Sequence, residues 1–305
     1  MYNTRKVADE LYWVGANDHR TPLFENIHPI PRGVSYNAYL LLDEQTALLD
    51  TVDWSACRQL LDNLEHLLGG RELNWIVLHH MESDHAASLQ AVLDRYPTAR
   101  VAASAQAFRF LEQFGFQTGE RERLVLKEGD SLALGRHTLT FYAAPMVHWP
   151  EVLVSLDSAS GALFSADAFG TFGALDGKLF ADEVDFDRDW LPDARRYYAN
   201  IVGKYGAQVQ ALLKRRRGWT SDSSAPSTAR CGGRIWAISW ENTTCGAAGA
   251  RRSRGYLSPT PPCTATPKPP PRPWPPGWWS RGSKPWRSGT CPPPMCPTSW
   301  TSPCA

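Results

Sequence analysis

Cysteine is nearly absent from the first 214 residues of this 305-residue chain, where Cys57 stands alone. One thiol can form no internal disulfide, which fits a reducing cytoplasm. Nowhere do eighteen apolar residues run together, so no segment is expected to span a membrane. The opening Met1-Tyr2-Asn3-Thr4-Arg5-Lys6 lacks an apolar h-region, so no secretory signal is expected and the expected location is cytoplasmic. Histidine is missing from everything after His148, although the chain holds eight. Acid is scarce at the same end, because residues 215–305 carry only Asp222 and Glu241.

The overall charge of +1 is therefore an average of two unlike segments. Residues 1–214 hold 19 Lys+Arg and 29 Asp+Glu, a net −10, whereas residues 215–305 hold 13 Lys+Arg against two acids, a net +11. The second segment also takes 17 of the 24 prolines, six of the seven cysteines and eight of the thirteen tryptophans. The class of sequence changes at 214/215, which sets the expected boundary. About 200 residues can bury a substantial core, so the first segment is expected to fold by itself.

Within it, Leu11–Val14 reads as a strand, and the apolar runs 37–42 and 46–52 pair across Asp43-Glu44-Gln45 as a hairpin. Residues 55–68 carry helical spacing (Leu60, Leu61, Leu64, Leu67, Leu68) and stop at Gly69-Gly70. Further strands are predicted at 74–79, 101–103, 123–126, 132–134, 138–143, 152–156 and 162–165, with helices at 85–95, 105–114 and 190–214. Many strands with few helices predict two β-sheets packed together and helices outside them, an α/β fold.

The densest chemistry lies just after the apolar run Trp75-Ile76-Val77-Leu78. His80-Met81-Glu82-Ser83-Asp84-His85 offers four metal-binding side chains within six residues, where a strand ends and a helix begins. A strand end sends alternate residues to one side, so His80 and Glu82 share a pocket. The turn into the helix swings Asp84 and His85 toward a second point. Imidazoles mixed with carboxylates suit a pair of borderline-hard divalent metals. His148 and Asp167 each sit where a later strand leaves the sheet, and a carboxylate such as Asp167 can bridge two ions. A lone histidine of this kind is more often a hydrogen-bonded loop residue, and the cluster is what favours ligation.

His80-x-Glu82-x-Asp84-His85, followed by His148 before Trp149-Pro150 and by Asp167, resembles the metallo-β-lactamase-like domain of flavodiiron proteins. The approach Ile30-Pro31-Arg32-Gly33-Val34-Ser35-Tyr36-Asn37 resembles that family too, and the likeness spans essentially all of 1–214. It implies an αββα sandwich and a centre of two iron ions that reduces O2 to water or NO to N2O with electrons from FMN. His80, Glu82, His148 and Asp167 would hold one iron, and Asp84, His85 and the bridging Asp167 the other. Rubredoxin or a flavin reductase would be the electron donor, and a homodimer the assembly, with no nucleic acid and no membrane as partner. The family takes one more histidine for the second iron from a segment after the long helix, and this chain has none there.

Two other readings compete. Zinc hydrolases of the same superfold carry His where Glu82 stands, and the hard carboxylate moves the preference from zinc toward iron. A metal-stabilised binding scaffold with a basic tail is the non-enzymatic alternative. Among the remaining candidates, His79 is expected to pack or support the site from behind, and His28 to sit in a loop. Trp149, Tyr197 and Tyr198 are expected to be packing residues, and His19, His66 and His137 solvated surface histidines.

Residues 215–305 show no helical or strand period, and natural disordered tails are seldom so rich in Trp and Cys. A reading-frame slip near Lys214–Gly218 explains this composition. After a slip, each lost codon is one visible third base plus the next two bases, which the visible residues largely fix. Pro226–Gly232 can be encoded so that the lost frame reads Leu-His-Gly-Pro-Val-Trp. A His-Gly-Pro segment is what the resemblance expects for the missing ligand. Pro259–Lys268 likewise permits Tyr-Ala-Ser-Met-Tyr-Gly-His-Thr-Glu, a loop suited to the phosphate of FMN in a flavodoxin-like domain. As written, the tail is expected to be non-native and disordered, without an FMN domain, and activity to be impaired.

Overall fold

A computed structural model describes residues 1–180 and 183–216. Among the described residues, fifteen strands come in the order β1 (Arg5–Ala8), β2 (Leu11–Trp13), β3 (Ala16–Asp18), β4 (Leu23–Phe24), β5 (His28–Pro29), β6 (Val34–Tyr36), β7 (Tyr39–Leu42), β8 (Thr46–Leu49), β9 (Trp75–Leu78), β10 (Arg100–Ser104), β11 (Arg123–Leu126), β12 (Ser131–Ala133), β13 (Thr138–Ala143), β14 (Leu153–Asp157) and β15 (Leu163–Phe164). The main sheet runs β1-β2-β7-β8-β9-β10-β11, antiparallel up to β8 and parallel from β8 to β11. The second is an antiparallel sheet, β12-β13-β14-β15.

Side-chain alternation with period two explains why the sheets stack. Leu40, Leu48, Ile76, Val101 and Ala103 enter an apolar cluster with helical residues such as Leu60, Leu64, Leu89 and Phe108. Their chain neighbours Leu41, Leu49, Val77 and Ala102 turn to the other face and pack against Leu139, Phe141 and Leu153 of the second sheet. Both faces of the central strands are covered, which is why these strands read as continuous apolar runs. On the outer side of the second sheet, Val154 shares a cluster with Ile201, Val202, Val209 and Leu212. The layers are α, β, β and α, as expected.

Helix α1 (Cys57–Leu68) is entered through a 3₁₀ turn at Trp54–Ala56, where Asp53 accepts a hydrogen bond from the Ser55 N–H. It ends at Gly69, whose φ of 56° is the left-handed stop that glycine tolerates. The expected helix 85–95 is two pieces, α2 (Ser83–Ala86) and α3 (Leu89–Arg95). The break arises because the chain pairs sideways there: Thr51 N–H donates to the His85 carbonyl and Ser88 N–H to that of Val52. Helix α4 (Ala105–Gln113) starts at Ser104, whose hydroxyl accepts from the Ala107 N–H.

The expected long helix 190–214 is also interrupted. After α5 (Phe186–Asp189), α6 (Leu191–Tyr197) gives way to a π segment at Tyr198–Val202 and a 3₁₀ turn at Gly203–Tyr205, before α7 (Gly206–Arg216). Glycines at 203 and 206 are poor helix formers, and the interruption falls where they cluster. Among the described residues no helix is long and apolar enough to cross a membrane. The expectations for the tail, beyond Arg215 and Arg216 at the end of α7, lie outside the described residues.

Candidate metal centre

The end of β9 carries His79 to Glu82, and Asp84 and His85 follow on α2. The loop after β13 brings His148, and the loop after β15 brings Asp167. One ligating atom each from His80, Glu82, His148 and Asp167 gathers within 4.8 Å, and all four residues are buried. Glu82 Oε2 lies 2.9 Å from His148 Nε2 and 3.2 Å from His80 Nε2. Asp167 Oδ2 lies 3.2 Å from each of the same two nitrogens. A second group, Asp84, His85 and Asp167, gathers as tightly. There His85 Nε2 is 3.0 Å from Asp167 Oδ1 and 3.8 Å from Asp84 Oδ2. The two oxygens of Asp167 thus face different groups.

Carboxylates behind the histidines fix which ring nitrogen points inward. Glu151 Oε1 sits 2.7 Å from His80 Nδ1 and also accepts from the Met81 N–H, leaving Nε2 for the centre. Asp50 Oδ2 lies 3.5 Å from His85 Nδ1 and 3.2 Å from His79 Nδ1. The backbone adopts left-handed angles at Asp50, Met146 and Ala166, beside three of these positions. Strain of that kind persists where surrounding structure imposes it, commonly at functional sites.

The electrostatics ask for cations. Burial lowers the pKa of His148, but hydrogen bonds to Asp167 and Glu82 outweigh it and lift the imidazole to about 9. Burial likewise opposes charge on His80 and His85, yet the carboxylates raise both well above the ordinary range. Glu82 is the converse: burial raises it, and the His148 and His80 contacts bring it down to about 2. Asp84 finds less compensation, so burial, with the Asp167 and Glu82 charges, raises it to about 7. Its Oδ1 is buried without a hydrogen-bond partner. Protons on the imidazoles supply the positive charge that divalent ions would bring, and the donor set of N and O atoms fits such ions.

All six expected ligands come together, divided into the two groups expected. His79 turns away, as strand alternation requires, and bonds Asp50 and Ser155 Oγ at 2.7 Å. Trp149 packs edge-on against His80 and His148. Tyr197 packs on Phe24 and Phe172, as expected, and burial, with the nearby Asp167, Asp84 and Glu82 charges, holds the pKa of its hydroxyl well above the ordinary range. His28 lies in the short strand β5, 3.9 Å from Glu25. Burial first, and then Glu82, raises the Glu25 pKa. His19 and His66 are exposed as expected, but His137 is not: it is 1 % exposed and held between carboxylates. Its place in a polar turn hid the neighbouring sheet's approach. Glu151, Asp50 and Glu25 escaped sequence reading for a like reason. Only Glu151, three residues beyond His148, carried a local hint.

A cavity of about 220 Å³ adjoins the second group, lined in part by Asp84, His85, Asp167, Phe169 and Tyr197.

Residues 34–202 match the family described as "ODP family beta lactamase". The chain is 35% identical over 208 residues to the nitric oxide reductase of Moorella thermoacetica, covering 68% of this chain and 51% of that protein. It is 34% identical over 210 residues to the rubredoxin-oxygen oxidoreductase of Megalodesulfovibrio gigas, with 68% and 51% covered. For the anaerobic nitric oxide reductase flavorubredoxin of Vibrio vulnificus the figures are 32% identity, 69% and 42%. The chain thus spans about half the length of the curated relatives it matches. Among solved structures, rubredoxin oxygen:oxidoreductase from Desulfovibrio gigas superposes with a TM-score of 0.73 at 27% identity, covering 81% of this chain and 62% of that one. A flavoprotein from Thermotoga maritima gives 0.71 at 25%, covering 81% and 61%. The strands that deliver the six candidate ligands, the four layers and a match over more than half of its length agree: this chain belongs to the ODP family of β-lactamase-fold domains.

Proposed function

We propose that residues 1–214 are the diiron part of a flavodiiron-type oxidoreductase that reduces O2 to water or NO to N2O. The observation that carries this reading is Asp167, whose two oxygens face two separate ligand groups. In this reading His80, Glu82, His148 and Asp167 hold one iron, and Asp84, His85 and Asp167 the other. Bound there, the pair of ions supplies electrons to a diatomic oxidant and positions for it to bind.

The chain's own residues set the conditions. Glu151 and Asp50 hold His80 and His85 with Nε2 turned inward. Tyr197 lines the cavity beside Asp167. The cavity beside the second group has room for a diatomic molecule and aromatic walls from Phe169 and Tyr197. Rubredoxin, which figures in the names of two relatives, or a flavin reductase is the class of donor, and the full-length form is a homodimer carrying FMN.

This chain holds no histidine for a seventh ligand, and residues 215–305 are read as out of frame. Its second metal position is weak and its turnover impaired. The test compares the 305-residue chain with a version restored to the other frame, both loaded anaerobically with Fe(II) and supplied with FMN and a reductant. Steady O2 or NO consumption is expected only from the restored form. Stoichiometric FMN binding by the 305-residue chain, or zinc-dependent hydrolysis of a lactam, ester or phosphodiester, contradicts the reading.

A further inference from the structure

Three turns meet at the opposite end of the sandwich from the centre described above. Glu10 lies in the turn from β1 to β2, Asp43 in that from β7 to β8, and His137 in that from β12 to β13. The β13–β14 register pairs Leu139 with Asp157 at this end and Ala143 with Leu153 at the other, where His148 and Glu151 lie. One ligating atom each from Glu10, Asp43 and His137 lies within 4.8 Å of the others. We infer that these three residues form a separate cation site, for a borderline divalent ion such as Zn²⁺, that joins the two sheets.

The histidine carries the argument. His137 is 1 % exposed, and its Nδ1 lies 2.8 Å from Asp157 Oδ2. Asp157 is buried too, and the Ser160 N–H and hydroxyl also donate to that oxygen. A carboxylate accepts only, so Nδ1 holds its proton toward Asp157 and Nε2 is left as the free edge. Nε2 is buried, makes no hydrogen bond and faces Glu10 Oε2 at 3.3 Å. A neutral imidazole would set a lone pair against a carboxylate, with Asp43 close by. A cation resolves that conflict, and a histidine backed by a carboxylate is the usual support of a metal-bound imidazole.

The surroundings are built for the purpose. Asp43 is oriented by the N–H groups of His137 and Glu44. Gly135, at φ +135°, leaves room for it, since a Cβ there would stand 2.6 Å from Asp43 Oδ1. The Gln45 N–H donates to the Leu134 carbonyl, tying the same two turns. Arg136 donates to Glu10 Oε2 at 2.8 Å, which leaves Oε1 available. One nitrogen and two oxygens with an open position are a donor set that suits Zn²⁺ or a similar ion. The site does not depend on the diiron reading.

Equilibrium dialysis of the full chain against Zn²⁺ tests it, in a Glu82→Ala/Asp167→Ala background that removes both groups of the other centre. Adding Glu10→Gln to that background is expected to remove one bound equivalent, as is adding His137→Gln. The same difference of one equivalent is expected between the wild-type chain and Glu10→Gln alone. Glu10 is 42% exposed in its side chain, so its substitution decides the matter if His137→Gln or the background fails to fold. Equal zinc content with and without Glu10→Gln overturns the proposal. So does a ¹⁵N spectrum in which His137 stays doubly protonated in the presence of Zn²⁺.

Discussion

At the scale of single residues, the proposed centre divides into candidate ligands and groups that hold those in place. Asp167→Ala is expected to empty both positions, because its oxygens serve both ligand groups. Glu82→Ala removes a ligand from the first group only. Iron analysis after anaerobic loading separates the two cases, and equal losses from both substitutions would contradict the sharing. Glu151→Gln leaves every proposed ligand in place but takes away the charge behind His80 Nδ1. About a 10–100-fold loss of affinity for the first iron is expected, the usual range for such outer partners. Unchanged affinity would make Glu151 a packing residue.

The convergence of the six candidate ligands was legible in the sequence because four fall within six consecutive residues and the others end predicted strands. Glu151, Asp50 and Glu25 were not, since each acquires its meaning from a partner far along the chain. His137 was misjudged for the same reason: its turn looks solvated until the β7–β8 turn closes over it.

Among the elements, the strands of both sheets other than β1 were readable from apolar runs bounded by turn residues. The short pieces β3 to β6 were not, because two or three residues carry no period. The break in the 85–95 helix was missed because sideways backbone pairing at Thr51 and Ser88 leaves no mark on apolar spacing.

Asp18 anchors one of those short pieces, β3 against β6. It is 3 % exposed and accepts from the Arg20 N–H, the Thr21 hydroxyl and the Tyr36 hydroxyl. Burial raises its pKa, but these hydrogen bonds outweigh burial and leave it below the ordinary carboxylate value. A lowered folded pKa means that the stabilisation is complete above the unfolded value near 4 and is lost as pH falls through the folded one. Asp18→Asn is therefore expected to cost about 1–3 kcal/mol near neutral pH and progressively less in acid. Denaturant titrations at several pH values check this, and a difference independent of pH would contradict it.

For the whole molecule, the 35% identity to a nitric oxide reductase stops short of a stated activity, because the chain spans about half of that relative. We propose that a frame slip lies at the change of composition at 214/215. A nucleotide read of the source DNA across codons 205–235 is expected to show one missing or extra base relative to a frame encoding His-Gly-Pro. An uninterrupted frame matching the chain as written, with no such alternative, would remove the slip and leave the tail's composition without that explanation.

In the proposed centre, Asp167 joins two iron positions. The most direct test is the Mössbauer spectrum of the full chain loaded with excess ⁵⁷Fe(II) under anaerobic conditions and then oxidised. Two iron sites per chain, coupled to a diamagnetic ground state, are expected with iron in excess, and Asp167→Ala is expected to leave neither. Uncoupled mononuclear iron, or a chain that takes up zinc and refuses iron at His80, Glu82 and His148, would contradict the proposal.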